Sequence, residues 1–577
     1  MGIAALTRTT ILPIRSIMGR RSFVYILTLL LYVVGAFLVD PQGHLSNDVG
    51  GKTASVAAMV ASESFNPDLG YWFEDADPDG QFFPLRNSQR TSTGVWINST
   101  SLTTLLPAVP LWSALGQRSI LVIPILGALA AVAAAGALAR RINPESDGVL
   151  AMLAVGLASP MTIYALDFWE HTWGAALVLW SIVALHDALM KTRLAPAVLA
   201  GAFVGIAATM RQEALVYAFV GGLVIGGFFA HRRRILDMFK IGVGYTLGFA
   251  VLFLGYGQLE DALIGGSGSR TNRGLDTLGQ TGSLVTDRLI SAATWLVAPI
   301  GSNEPLALMM GAILAVSATA FARWLFFTDQ SEDPGLAKKA MVLTWAVWLV
   351  GIPLLKPGWI PGLLIAAPAA IFGMVAGVSE RRWTLLALSA MPVPIIFATA
   401  FVDGSAVQWG SRYLLPTSLV LTVLGVEALR RVSKPALTMV LAVSVLVTLS
   451  GSAWTIQRSH WIADDGQQVM ELAQGDVVVW ANGLTAREMG DYSLGQRWLT
   501  VDDPRLQSQL ANTLASEDIG TFIWIAGRAL PAPSFDGYEP IETLGAFEYE
   551  AAFPNDITRY VRTGDEQQTP GALAFEE

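Results

Sequence analysis

The chain has 577 residues, of which 53% are hydrophobic and only 14% charged, and a formal net charge of −9. Soluble domains keep about 25% of their residues charged, so composition excludes a chain that is water-soluble throughout. The absence of cysteine excludes disulfides and thiolate metal sites, and no nucleic-acid partner is expected.

The first apolar run, Ser22–Val39, follows the basic pair Arg20–Arg21. It lacks an A-x-A cleavage site before Asp40 and reads as a membrane anchor rather than a cleaved signal peptide. Twelve more spans are expected at Ser119–Ala139, Gly148–Leu166, Trp173–Met190, Ala195–Thr209, Ala214–Ala230, Ile241–Gly257, Pro305–Phe327, Ala340–Leu355, Trp359–Val378, Trp383–Val402, Tyr413–Leu429 and Ala436–Trp454. Ser101–Leu115 is apolar but short and carries Pro107 and Pro110, so it reads as an interfacial or re-entrant piece. With that choice the clusters Arg20–Arg21, Arg140–Arg141, Arg232–Arg234, Arg381–Arg382 and Arg430–Arg431 all fall on one side. The positive-inside rule then puts the N-terminus in the cytoplasm and the C-terminus outside. The fold class expected is an all-α polytopic membrane protein of about thirteen helices with a small C-terminal α/β extracytoplasmic domain.

Three domains are expected: a membrane part, 1–454, with a large first outer loop over 40–118; an α/β domain over 455–562; and a disordered tail over 563–577. In the α/β domain, Asp476–Asn482, Arg497–Val501 and Thr521–Gly527 read as buried strands, and Pro504–Glu517 as a helix.

Charged residues at span ends that orientation does not explain are the informative ones. Asp48 heads a segment with Val49, Thr53, Val56 and Val60 at helical spacing. It reads either as a helix N-cap or as a surface carboxylate able to take a proton from a hydroxyl. Glu170 and His171 lie in DFWEHTW, beside Trp169 and Trp173, both of which also suit an aromatic belt. Arg211 and Glu213 share the tight turn MRQEA. A lone pair of this kind neutralises itself, but an arginine at the outer membrane edge calls for an anionic partner, and a phosphate matches the guanidinium fork. Arg412 stands in the same position in VQWGSRYLLP, beside Trp409 and Tyr413. Arg270 and Arg273 lie in a Gly/Ser-rich loop over 265–282 that reads as a solvated loop or as a flap over a ligand. DADPDG places Asp75, Asp77 and Asp79 as at the start of an EF-hand loop, but Arg86 stands where its bidentate Glu belongs. That motif is read as a divalent-cation site (Ca, Mg or Mn) or as an acidic turn.

The segments SNDVGGKTASVAAMV, PAVPLWSALG before a span ending in ARR, TMRQEA and WGSRYLLP are similar to motifs of the GT-C superfamily of glycosyltransferases. Within it the chain resembles bacterial protein O-mannosyltransferase-like enzymes and the lipid A aminoarabinose transferase. The resemblance covers roughly Ser22–Trp454. It implies a polyprenyl-phosphate sugar donor, inversion at the anomeric carbon, Asp48 as general base, and Arg211 and Arg412 against the lipid phosphate. Many relatives carry paired acids in the first loop, whereas Asp48 here stands between Asn47 and Val49. Lys52, Arg270 and Arg273 are further candidates for the phosphate. Glu170, His171, Trp173, Trp409 and Glu213 are candidates for the sugar or acceptor. The expected setting is a bacterial plasma membrane, and the expected acceptor a cell-wall polysaccharide, glycolipid or protein. A transporter or flippase of lipid-linked glycans is the rival reading, since it too needs phosphate-binding arginines, but it should carry mid-membrane charge.

Overall fold

Long apolar runs without internal proline fold as uninterrupted helices, because only a helix satisfies its own backbone in lipid. A computed structural model describes residues 19–44, 46–98, 101–265, 284–297, 305–328, 361–399, 409–527, 533–549 and 553–563, with 339, 341, 343, 344 and 346. All but the first residue of the expected tail and most of the expected span Ala340–Leu355 lie outside them, as do Arg270 and Arg273.

Among the described residues seven helices are long and apolar enough to cross a membrane: Arg20–Leu38, Gln117–Ile142, His171–Lys191, Glu213–His231, Ile235–Ile264, Arg412–Val432 and Lys434–Ala473. Shorter apolar helices, Leu194–Met210, Gly311–Phe327 and Pro368–Ser379 among them, overlap other expected spans. Three expected spans are interrupted, each at a proline. Gly148–Leu166 is split into Val149–Leu157 and Met161–Tyr164 before and after Pro160. Trp359–Val378 breaks between Leu363–Ala366 and Pro368–Ser379, and Trp383–Val402 breaks at Pro392. Proline brings no N–H to the ladder, and before Pro368 it leaves Ala367 outside helical geometry, at φ −132° and ψ 69°. Ser101–Leu115 does fold as one helix, Leu102–Leu115, with both prolines inside it.

The chain divides into two compact units. The helical unit takes in described residues of Met1–Phe37, Pro124–Gly255 and Asp276–Ala453. In it, helices Pro368–Ser379 and Leu415–Val432 touch backbone to backbone. A Cβ on Gly373 would lie 1.8 Å from the Leu421 carbonyl oxygen, and one on Gly425 would lie 2.1 Å from that of Ala369. Small residues of this kind drive helix association where lipid supplies no hydrophobic contrast.

The α/β unit comprises described residues of Leu38–Ile123, Tyr256–Leu275 and Trp454–Glu577. Its first-loop portion holds a small hairpin, β1 (Ser88–Arg90) and β2 (Trp96–Asn98). A five-stranded sheet is built from β3 (Val477–Trp480), β4 (Trp498–Thr500), β5 (Thr521–Gly527), β6 (Tyr538–Tyr549) and β7 (Phe553–Arg562), in the order β4-β3-β5-β7-β6. β3 runs parallel to β4 and β5, whereas β7 is antiparallel to β5 and β6. Successive side chains of β3 face opposite ways. Val477 and Val479 join a cluster with Tyr71, Phe82, Trp96 and Phe522, and Val478 and Trp480 join one with Ile462, Val469 and Trp498. Aromatic residues of the first loop therefore complete one face of the sheet. Because of that shared core the first loop groups with the C-terminal segment, whereas the sequence reading counted it with the membrane part.

Candidate functional site

In the helical unit, Arg211 leaves the C-terminus of helix Leu194–Met210 in extended geometry, with φ −136° and ψ 120°. Its backbone N–H still donates to Ala207, so the side chain is aimed by the end of one helix at the start of two others. Its Nε donates to Glu213 Oε1 at 2.8 Å and its Nη1 to Glu170 Oε1 at 2.9 Å. The three side chains are buried, at 12%, 9% and 6% exposure respectively. Gly174 makes room for the arginine, since a Cβ there would lie 2.8 Å from Arg211 Cγ. The anionic partner that Arg211 calls for is thus supplied first by two carboxylates of the protein itself. They fix the guanidinium plane through charge-assisted bonds.

Arg412 opens the turn before helix Leu415–Val432, after Ser411 in left-handed conformation with φ 59°. Its Nη2 lies 3.1 Å from the Tyr413 hydroxyl and its guanidinium 4.8 Å from that ring's centroid. The guanidinium of Arg211 stands 5.5 Å from the same ring. Both arginines line one narrow pocket of about 10 Å³, with His171, Glu213, Tyr217 and Pro416. The formal charges of Arg211, Arg412, Glu170 and Glu213 sum to zero, so an entering anion meets oriented donors more than a net field.

The other candidates of this unit are close by. His171 is buried, its ring stacked on Tyr164 at 5.1 Å and 5.0 Å from Trp169. The Tyr164 hydroxyl donates to the Trp409 carbonyl at 2.8 Å. Trp409 is buried with its indole against Gly451, which makes it a packing residue of this wall. Trp173 is half-buried in the first turn of helix His171–Lys191. Tyr217 and Tyr164 were not singled out from the sequence, where a tyrosine in an apolar run is indistinguishable from core.

In the α/β unit, Asp48 is the second residue of helix Asn47–Ala61, and Ser46 holds the N-cap position. The carboxylate is therefore not the cap. It accepts from Arg487 Nη1 at 2.8 Å, and the same nitrogen donates to Asn47 Oδ1 at 3.2 Å. Arg487 Nη2 donates to Asn98 Oδ1 at 2.8 Å. The arginine side chain is 2% exposed and the aspartate 30%. Lys52, one turn along the same helix, is buried. His44 Nε2 lies 3.2 Å from Thr53 Oγ1 and 3.4 Å from Asp491 Oδ1, and Gln117 donates to Asp491. Neither Arg487 nor Asn98 was found from the sequence. Arg487 is 439 residues from Asp48 and lies in no motif.

The EF-hand-like turn has a different use. Asp77 is buried and accepts from the Tyr71 hydroxyl at 2.7 Å and from the backbone N–H groups of Gln81 and Phe82 at 3.0 and 2.8 Å. Burial, with the bond to Asp77 and its charge, raises the Tyr71 phenol well above its ordinary range and keeps it a donor. Asp75 and Asp79 are exposed. Among the described residues no group of three or more His, Cys, Asp or Glu is placed to hold a metal ion.

No family model matches the chain, and no curated protein matches it in sequence. Among solved structures it is similar to the oligosaccharyltransferase of Archaeoglobus fulgidus in its apo form, at 11% identity and a TM-score of 0.44, over 87% of this chain and 69% of that one. It is also similar to ArnT from Cupriavidus metallidurans bound to undecaprenyl phosphate, at 14% identity and a TM-score of 0.42, over 92% of this chain and 97% of that one. TM-scores below 0.5 at such identity fall short of a shared mechanism.

Proposed function

We propose that this protein is an integral membrane glycosyltransferase that moves a sugar from a polyprenyl-phosphate donor to an acceptor outside the cytoplasm, with inversion. The observation that carries this reading is the pair Arg211 and Arg412 lining one pocket of the helical unit, Arg211 held in place by Glu170 and Glu213.

In the reaction, an acceptor hydroxyl attacks C1 of the sugar while the C1–O bond to the lipid phosphate breaks and its electron pair stays on phosphate. Charge grows on that leaving group, and guanidinium groups already oriented toward it stabilise the transition state without reorganising. Arg412 and Arg211 take that role. Asp48 takes the hydroxyl proton as general base, which suits a carboxylate that is oriented by Arg487 and still partly open to solvent. His171 and Glu213 line the pocket where they contact donor hydroxyls. The setting is a bacterial plasma membrane, with the N-terminus cytoplasmic and the α/β unit outside, as the basic clusters indicate.

The test is release of polyprenyl phosphate from a panel of radiolabelled polyprenyl-phosphate sugars, comparing wild type with Asp48→Asn and Arg412→Ala. Consumption by wild type that collapses in both variants supports the assignment. Wild-type protein that binds these donors and consumes none, with several acceptors present, refutes it in favour of a lipid-linked-glycan transporter.

A further inference from the structure

Two neighbouring residues of one short helix in the C-terminal segment, Gly483–Glu488, are held on opposite sides. Glu488 accepts from Arg458 on the long helix Lys434–Ala473, and that arginine is buried. Arg487 reaches the first-loop portion of the same unit and donates to Asp48, Asn47 and Asn98. The helix start is fixed as well, since Asn482 Oδ1 accepts from the backbone N–H of Leu484 at 2.9 Å.

The sequence before and after Asp48 is shaped to receive that arginine. A Cβ on Gly50 would lie 2.1 Å from the Arg487 carbonyl oxygen, and one on Gly51 would lie 2.7 Å from Arg487 Nε and 2.5 Å from Asn98 Oδ1. From the other side, a Cβ on Gly490 would lie 2.2 Å from the Gly50 carbonyl oxygen. Only glycines allow the two segments this approach. The partners are also chemically matched: one carboxylate and two neutral amide oxygens around one guanidinium. The two amides accept from Nη1 and Nη2 without adding charge beside the Asp48 carboxylate. The arginine side chain is 2% exposed and Asp48 30%, so the carboxylate is held by a buried guanidinium and is itself still reached by solvent.

We infer that Arg487 is a positioning residue for Asp48, so that the C-terminal domain completes the general base supplied by the first loop. This rests on the transferase reading above. A guanidinium at hydrogen-bond distance holds the carboxylate in one rotamer. A base displaced by about 1 Å loses on the order of 10²-fold in rate. The loss falls on kcat, since the reading above gives the donor phosphate to Arg211 and Arg412.

The experiment uses full-length protein in lipid nanodiscs and a polyprenyl-phosphate sugar that the wild type consumes. It compares Arg487→Ala, Arg487→Lys, Asp48→Asn and the double variant Asp48→Asn/Arg487→Ala. The expected result for Arg487→Ala is a kcat lowered about 10- to 100-fold with the donor KM within about twofold of wild type. Arg487→Lys, a cation without the planar fork, falls between. The double variant is no slower than Asp48→Asn alone, because Arg487 acts through that carboxylate. A kcat for Arg487→Ala equal to wild type, or a double variant slower than Asp48→Asn by the full Arg487→Ala factor, overturns the inference while leaving the transferase standing. If Arg487→Ala is not recovered folded, Arg487→Lys decides, and wild-type kcat there has the same meaning. A wild type that consumes no donor overturns the transferase reading and this inference with it.

Discussion

Replacing Arg211 by Met removes the cation from between Glu170 and Glu213, which stand 2.9 and 2.8 Å from it and are themselves almost wholly buried. Breaking a buried ion pair by deleting one partner costs about 3–5 kcal/mol, because a charge is left without compensation. Here one deletion strands two like charges, so the upper part of that range, about 4–5 kcal/mol, is expected. The measurement is an SDS titration of the purified protein in mixed micelles, followed by tryptophan fluorescence, with unfolding free energies compared across variants. The triple variant Arg211→Met/Glu170→Gln/Glu213→Gln carries neutral groups of similar size and is expected to recover most of the loss. The triple variant should still fail to release polyprenyl phosphate, which separates the structural from the chemical role of the cluster. A loss below about 1 kcal/mol for Arg211→Met would refute the reasoning, since that is the behaviour of a solvated pair.

Gly174→Ala places a methyl 2.8 Å from Arg211 Cγ, whereas Gly222→Ala meets nothing within 4 Å. Polyprenyl phosphate release is expected to drop roughly tenfold for the first, as its guanidinium is pushed off line, and to be unchanged for the second. Tyr71→Phe removes a hydrogen bond from a buried carboxylate, Asp77, and is expected to cost about 1–3 kcal/mol in urea unfolding. Addition of EDTA should leave the wild-type transition where it is; a large fall in its midpoint would mean that Asp77 serves a cation instead.

Much of the helical unit was legible because its signal is local. Continuous apolar composition is enough to make Trp173–Met190, Ala214–Ala230 and Pro305–Phe327 helical, and the structure extends the first two only by a residue or two at each end. The same holds for β3, β4 and β5, whose apolar, β-branched and aromatic runs mark buried strands. β6 and β7 escaped because Tyr538–Tyr549 and Phe553–Arg562 mix Glu, Asp, Arg, Gly and Pro. Their strand character comes from pairing with each other and with β5, and not from a pattern of their own.

The candidate site divides along the same line. Glu170, His171, Arg211, Glu213 and Arg412 stood out because a charge or an imidazole at the edge of an apolar run is costly and needs a reason. Sequence alone marked these residues as candidates and placed Asp48 at the start of a helix. Only the tertiary structure decided their partners: that Arg211 is clamped by two glutamates, that Asp77 is consumed by Tyr71 and a turn, and that Arg487 grips Asp48. Helix ends and spans follow from neighbours a few positions apart. A hydrogen bond joining residues 439 apart depends on how the whole α/β unit closes on itself, and no local pattern of residues encodes that closure.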